Sequence, residues 1–238
     1  MSEYAPNSVD KVESLGGYAV IYSDPPWNYD QGGRGSTKSH YDTMSIESIK
    51  LLPVSRLASK DSVLFLWGTW PQLPVVLETM TAWGFTFKTC AFVWVKHYEK
   101  SGKKCVGCGM WTRANTEFCL LGIRGTPPRR VDKGVRQLIE AGSTETCPFT
   151  KECETQVWGD AEVILAPRQA HSAKPPEVRD RIVKLMGADL PMIELFARCV
   201  DSDGRVIPGG RVAEKWDQWG DQCDSDVVVG NQDRWKYY

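Results

Sequence analysis

The sequence predicts an α/β fold with a mainly parallel central sheet. Short apolar runs such as Tyr18-Ala19-Val20-Ile21-Tyr22 and Val63-Leu64-Phe65-Leu66-Trp67 alternate with segments of helical character. The runs are nearly continuous in apolar residues rather than alternating, which suits strands covered on both faces. Gly and Pro punctuate the joints between them.

The elements follow in order. Residues 18 to 23 form the first strand, and the Gly-, Ser-, Asn- and Tyr-rich stretch 28 to 43 is a loop. A helix is expected over 45 to 59, with Ser45 able to cap it and Pro53 kinking or dividing it. Strand 63 to 67 comes next. A helix over 71 to 83 follows, with Pro71 or Pro74 in its first turn and Gly84 after it. Strands are expected over 85 to 96 and 117 to 123, the latter stopped by Gly125-Thr126-Pro127-Pro128. A short helical stretch is expected near 132 to 141, then a strand over 162 to 165. A helix over 175 to 186 starts at Pro175-Pro176 and ends at Gly187. A core strand over 191 to 196, a turn over 201 to 210, and a short strand or packed tail at 226 to 230 complete the chain.

The 238 residues are enough for one domain with a substantial core, since 42% are apolar and 25% charged. Residues 1 to 238 read as a single domain with an insertion at 126 to 160, the least regular part. No signal peptide or membrane span is visible, so a cytoplasmic location is expected. The eight cysteines then read as free thiols in a reducing compartment. Cys105, Cys108, Cys147 and Cys153 have loose zinc-ligand spacing, and no metal is assigned to them. Ten tryptophans are many for this length. Trp27, Trp111 and Trp219 sit beside Gly, Pro or charge, where rings can face a ligand.

The net charge of −1 gives no global sign of a polyanionic partner. Locally, Arg124, Arg129, Arg130, Lys133 and Arg136 stand against one acid, Asp132, as a solvated loop or a contact to a nucleic-acid backbone.

Ligands of parallel sheets bind outside the carboxyl ends of strands. The segments to inspect are therefore Ser23 to Trp27, Gly68 to Trp70, His171 to Lys174, and Ala197-Arg198. The first is the most informative. An aromatic amine is a weak nucleophile because its lone pair is delocalised into the ring. A site that accepts hydrogen bonds from the NH₂ group favours a pyramidal nitrogen whose lone pair is free to attack. Asp24 can supply one acceptor and the Pro25 carbonyl a second. Pro25 and Pro26 stiffen the corner in advance, and Trp27 can stack on a base. Asn28, Tyr29 and Tyr41 can line the pocket. No cysteine lies in this stretch to attack a pyrimidine ring, no zinc-deaminase pattern occurs, and neither a P-loop nor a dinucleotide fingerprint is present.

Glu194 is a charge inside an apolar strand and needs a donor such as Arg198, a hydroxyl or a backbone N–H. Lys174 lies between a strand and a helix. Glu117 can pair with Arg113.

Tyr22-Ser23-Asp24-Pro25-Pro26-Trp27-Asn28-Tyr29 resembles the signature of adenine-N6 methyltransferases related to the catalytic subunit of the messenger-RNA methyladenosine writer, a family with bacterial and phage members. Five further segments agree in order: Leu64 to Trp67, Ala82 to Phe85, Asn115 to Glu117, His171 to Pro175, and Ile193 to Arg198. The resemblance implies a Rossmann-like class I S-adenosylmethionine-dependent fold in permuted motif order, with the acceptor corner near the N-terminus and the donor strand near residue 193. It implies that Asp24, Pro25, Pro26 and Trp27 hold the target amine. It places Ser23, Asp24, Lys174, Glu194, Phe196, Arg198, Asp221 and Gln222 around the donor. Asp221 departs from the family's usual Asn. Trp111 resembles a gate-loop aromatic, and Glu117 lies on that side. The expected acceptor is adenine in nucleic acid, DNA before RNA, contacted through Arg129, Arg130, Lys133 and Arg136, by a monomer or homodimer. The rivals are a non-catalytic nucleic-acid-binding partner of such an enzyme, or an enzyme acting on cytosine-N4 or a small acceptor.

Overall fold

A computed structural model describes residues 7–27, 44–96, 111–112, 114–141, 174–175, 177–198, 216–220, 223 and 225–229. The elements are β1 (Asn7–Ser8), α1 (Val9–Ser14), β2 (Tyr18–Ser23), α2 (Ile46–Lys50), α3 (Val54–Leu57), β3 (Ala58–Gly68), a 3₁₀ turn (Trp70–Gln72), α4 (Leu73–Ala82), β4 (Thr86–Lys96), β5 (Thr116–Arg124), β6 (Leu138–Ala141), α5 (Glu177–Met186), β7 (Met192–Leu195), β8 (Asp217–Trp219) and β9 (Val227–Val228).

Seven strands form the central sheet in the order β6-β4-β5-β3-β2-β7-β8. Every pairing is parallel except those of β5, which runs against both β3 and β4. The mainly parallel α/β sheet is therefore the one the sequence predicts. All six residues of β2 are buried, as its apolar run requires of a strand with neighbours on both edges and layers on both faces. One apolar layer gathers Ile21, Leu64, Leu66, Phe118 and Leu120 under α1 to α4. The other gathers Val20, Tyr22, Phe65, Trp67, Phe92 and Trp94 under α5, through Val178, Ile182 and Met186. The alternation of these residues along each strand is the pleat.

Local chemistry explains most boundaries. Ser45 caps α2 by accepting from the Ser48 N–H. The helix expected over 45 to 59 divides at Pro53 into α2 and α3, and residues 58 and 59 already belong to β3. Gly187, at φ 91°, closes α5, with its N–H on the Val183 carbonyl.

The helical stretch expected near 132 to 141 is not helical. Asp132 accepts from the Gly134 N–H in a turn, and 138 to 141 become edge strand β6. Leu138 is exposed and Ile139 buried, as neighbours on opposite faces of a strand are. The sequence reading also missed β1 and α1. It missed β8 too, whose Asp217 accepts from the Tyr18 hydroxyl at 2.6 Å. The strand expected over 162 to 165 and the turn over 201 to 210 lie outside the described residues, as does the remainder of the expected insertion beyond residue 141. No helix among the described residues is long and apolar enough to cross a membrane.

Candidate active site

The sheet brings the expected segments to one edge. β2 and β7 pair directly, Tyr22 opposite Glu194 and Ser23 opposite Leu195, so the corner near the N-terminus meets the strand near residue 193. Because β5 runs antiparallel, its first residues rather than its last stand at the carboxyl edge. Glu117 faces Trp94, and Phe118 faces Gly68.

Asp24 leaves the end of β2 with its side chain 28% exposed. Its Oδ2 accepts from Lys174 Nζ at 2.7 Å. Oδ1 has no partner among the described residues. The same ammonium lies 3.3 Å from Glu117 Oε2, and Lys96 Nζ donates to Glu117 Oε1. Asp24, Lys174, Glu117 and Lys96 thus form a chain of alternating sign with no net charge, the arrangement that makes burial of ionised groups tolerable. Lys174 also lies 5.4 Å from the Trp67 ring centre, and Lys96 lies 4.9 Å from that of Trp94.

Burial pushes the Glu117 carboxyl up, but Lys174 and Lys96 outweigh it and hold it below the usual glutamate range. Burial likewise pushes the Lys174 ammonium down. Asp24 and then Glu117 outweigh that, so it stays charged well above the usual lysine range. The Arg113 partner expected for Glu117 lies outside the described residues, and the lysines at 96 and 174 fill that place.

The two prolines form a clamped turn. The Trp27 N–H donates to the Pro25 carbonyl at 2.8 Å, and the Met44 N–H donates to the Pro26 carbonyl at 3.1 Å. One lone pair of the Pro25 carbonyl is therefore already used, and one is left for a ligand. Trp27 is only 4% exposed, packs in the core, and donates its indole N–H to the Trp67 carbonyl at 3.0 Å. The structure buries this ring, and its visible work is to anchor the corner. Trp219, read from its neighbours as ligand-facing, is buried as well, whereas Trp111 is 99% exposed.

Beneath the corner, Trp67 Nε1 donates to the Tyr22 hydroxyl at 2.8 Å. Burial first, and the Glu194 carboxylate second, push the Tyr22 phenol up, so it stays neutral. A cysteine does lie close by: Cys119 pairs with Trp67 in the sheet. It is fully buried, and burial pushes its thiol well up, which is the opposite of an activated nucleophile. The sequence hid it because it comes from β5.

The side where the donor is expected is built from β7, β8 and α5. Arg179 holds Glu194 with two nitrogens, NH2 to Oε1 at 2.8 Å and Nε to Oε2. The buried carboxylate thus has a cation from α5, not the Arg198 expected from proximity in sequence. Phe196 adopts φ 64°, rare for a bulky residue and characteristic of functional turns. Its ring meets Trp219 edge-on at 5.2 Å, and the Ala197 N–H donates to the Trp219 carbonyl. Gly220 closes this turn, for a Cβ there would stand 2.2 Å from the Ala197 carbonyl oxygen. Ser23 Oγ is buried at the end of β2 with no hydrogen-bond partner among the described residues. A buried hydroxyl left so costs about 1–3 kcal/mol, which a polar ligand at the strand end would recover. This orphan hydroxyl and the strained Phe196 turn fit a donor cofactor bound beside β2 and β7. Asn28, Tyr29, Tyr41, Asp221 and Gln222 lie outside the described residues, as do Cys105, Cys108, Cys147 and Cys153.

Arg124, Arg129 and Arg130 of the basic cluster are not at this edge. Arg124 lies six residues along β5 from Phe118, about 20 Å at the rise of a strand. Its guanidinium donates to the Ser55 carbonyl. The chain through Arg129 and Arg130 stays at that far end, where the Val131 N–H donates to the Leu185 carbonyl. It climbs back along the sheet by Arg136, whose carbonyl accepts from Arg181 together with that of Leu138, the residue of β6 that pairs with Val93. Arg129, Arg130, Lys133 and Arg136 are all exposed.

Comparison with known proteins agrees with this geometry. The MT-A70 family signature matches residues 18–222. The Type II methyltransferase M.MunI of a Mycoplasma species is 30% identical over 223 residues, covering 85% of this chain and 76% of that protein. The human N(6)-adenosine-methyltransferase catalytic subunit METTL3 is 27% identical over 188 residues, covering 79% of this chain and 27% of that protein. The Drosophila melanogaster N(6)-adenosine-methyltransferase MT-A70-like protein is 27% identical over 185 residues, covering 77% and 25%. The chain thus spans about a quarter of these two animal relatives. The six ordered motifs, the strand-end corner they build and the match across residues 18–222 lead to one conclusion: the chain belongs to the MT-A70 family.

Proposed function

We propose that this chain transfers a methyl group from S-adenosylmethionine to the exocyclic N6 amine of adenine in nucleic acid, with DNA the favoured acceptor and RNA the second. One observation carries the reading. Asp24 presents a carboxylate whose Oδ2 is fixed by Lys174 at 2.7 Å, while Oδ1 has no partner among the described residues. An ionised carboxylate only accepts hydrogen bonds, so Oδ1 suits an N–H donor.

S-adenosylmethionine supplies an electrophilic methyl carbon on a sulfonium sulfur. Asp24 Oδ1 and the remaining lone pair of the Pro25 carbonyl accept the two N–H bonds of the amine, orienting its lone pair away from the ring plane. As the nitrogen bonds to the methyl carbon, the carbon–sulfur bond would break with its electron pair left on a neutral thioether sulfur; the nitrogen becomes positive, and the Asp24 carboxylate offsets that charge before a proton leaves to solvent. These acceptors are fixed before substrate arrives, so little reorganisation accompanies reaction. Ser23, the Phe196 turn, Glu194 and Arg198 would hold the donor, with Asp221 and Gln222 beyond the end of β8.

The preference for DNA rests on resemblance to bacterial and phage members of the family, and the 30% identity to a Type II methyltransferase supports it. An intact acidic corner speaks against a non-catalytic partner. The test is methylation of single- and double-stranded DNA and RNA followed by mass spectrometry of the nucleosides. N6-methyladenine formed fastest on DNA is the expected result. N4-methylcytosine, or turnover of free bases only, would replace the reading.

A further inference from the structure

Among the described tryptophans, Trp27, Trp67, Trp83, Trp94, Trp216 and Trp219 are buried, Trp111 is almost fully exposed, and Trp70 is 50% exposed. Leaving half of so large an apolar ring in water forgoes burial that the rest of the core obtains. The ring is nevertheless held in place. Its indole N–H donates to Thr116 Oγ1 at 2.8 Å, and it meets Phe118 edge-on with centres 4.9 Å apart and planes 63° apart. Its backbone opens the 3₁₀ turn Trp70–Gln72, where Pro71 restricts φ and the Gln72 N–H returns to the Thr69 carbonyl at 2.9 Å. A braced and half-exposed ring is organised as a surface.

Its place gives the surface a purpose. Trp70 lies just past Gly68 at the carboxyl end of β3, the strand beside β2. Its brace, Thr116-Phe118, flanks Glu117, which touches the Lys174 bound to Asp24. β5 is the second strand from β2, so the backbone of the brace stands roughly 10 Å from that of the Asp24 corner at ordinary strand spacing, with Phe118 on the α1–α4 face of the sheet and Glu117, paired with Trp94, on the other. That is too far to grip the target base and close enough to reach the next nucleotide. The N–H is already used on Thr116, so the ring has a π face to offer but no free donor. Stacking of this kind tolerates any base.

Resting on the function proposed above, we propose that Trp70 is the stacking platform for the nucleobase flanking the target adenine. It positions the acceptor strand while Asp24 holds the reacting amine.

The test combines protein and substrate changes. Binding of full-length wild type, Trp70→Ala and Trp70→Phe to a single-adenine oligonucleotide is measured by fluorescence anisotropy, alongside steady-state methylation. The same oligonucleotide is prepared with an abasic site on the 5′ or the 3′ side of the adenine. Trp70→Ala is expected to raise Kd and KM roughly tenfold, within the range for one stacked base, with kcat and S-adenosylmethionine affinity unchanged. Trp70→Phe should retain most of the affinity. One abasic position should weaken wild type similarly and leave Trp70→Ala no weaker than before. Equal Kd for wild type and both variants overturns the proposal. So does a Trp70→Ala defect of the same size on intact and both abasic strands. If Trp70→Ala does not fold, the abasic series on wild type and Trp70→Phe decides: no loss at either position overturns it. Anisotropy reads stacking without turnover, so a wild type that binds with these couplings but methylates no adenine would sink the assigned reaction and leave the platform standing.

Discussion

Lys174 Nζ sits 2.7 Å from Asp24 Oδ2 and 3.3 Å from Glu117 Oε2, one ammonium joining two acids that lie 93 residues apart in sequence. Lys174 fixes which oxygen of Asp24 is engaged, and Glu117 fixes Lys174. Replacing Lys174 by Met frees Asp24 to rotate and leaves Glu117 with Lys96 alone. Methylation should fall by about two orders of magnitude, the scale of losing one preorganised electrostatic contact. Stability should fall by on the order of 2 kcal/mol, less than for a fully isolated buried charge because Lys96 remains. Parallel rate and urea-denaturation measurements check both figures.

The same quartet makes stability fall in acid. The folded Glu117 carboxyl lies below its ordinary range, so its contribution is fully present above that range and is lost as pH drops through the lowered folded value. Glu117→Gln should flatten the acid limb of a thermal-melting profile below about pH 5. An acid limb as steep as that of wild type would show that other carboxylates set it.

On the donor side, Arg179 engages both oxygens of Glu194 on the buried strand β7. Arg179→Met leaves that carboxylate without this cation and should cost about 3–5 kcal/mol. The double variant Arg179→Met with Glu194→Gln should recover much of the loss. Denaturant melts of the four proteins give the coupling directly, and additive losses would show the pair to be independent.

The far basic cluster has a different expected signature. Arg129→Ala, Arg130→Ala and Lys133→Ala together should leave KM within about twofold for an acceptor of a few nucleotides, because that acceptor does not span the roughly 20 Å to the opposite edge. A large rise in KM with a shallower salt dependence would bring the cluster back to the target-strand contact.

Much of this was legible from residue order. The apolar runs mark β2, β3 and β7, and ligand binding at strand ends singles out Ser23 to Trp27 from residue order alone. What failed depended on tertiary neighbours. Trp27 and Trp219 have polar or Gly/Pro neighbours in sequence and yet are buried, because sequence neighbours do not report what lies above a ring. Leu138-Ile139 carries only two informative residues, too few to tell a period of two from one of 3.6. Lys96 and Arg179 became site residues because β5 reverses direction and α5 crosses β7, facts that single-strand patterns do not encode. Trp70 was within reach, since it follows Gly68 at a strand end, but only its exposure separates it from the tryptophans of the core.

The central claim is that Asp24 holds the reacting amine. It is tested most directly by Asp24→Ala, assayed for N6-methyladenine by nucleoside mass spectrometry, with thermal melting and S-adenosylmethionine calorimetry on the same preparation. The expected result is a loss of methyl transfer of about 10²–10³-fold or more, the scale of losing a preorganised transition-state contact, in a protein that still melts cooperatively and still binds the donor. Turnover within about threefold of wild type, less than 1 kcal/mol of barrier, would contradict it.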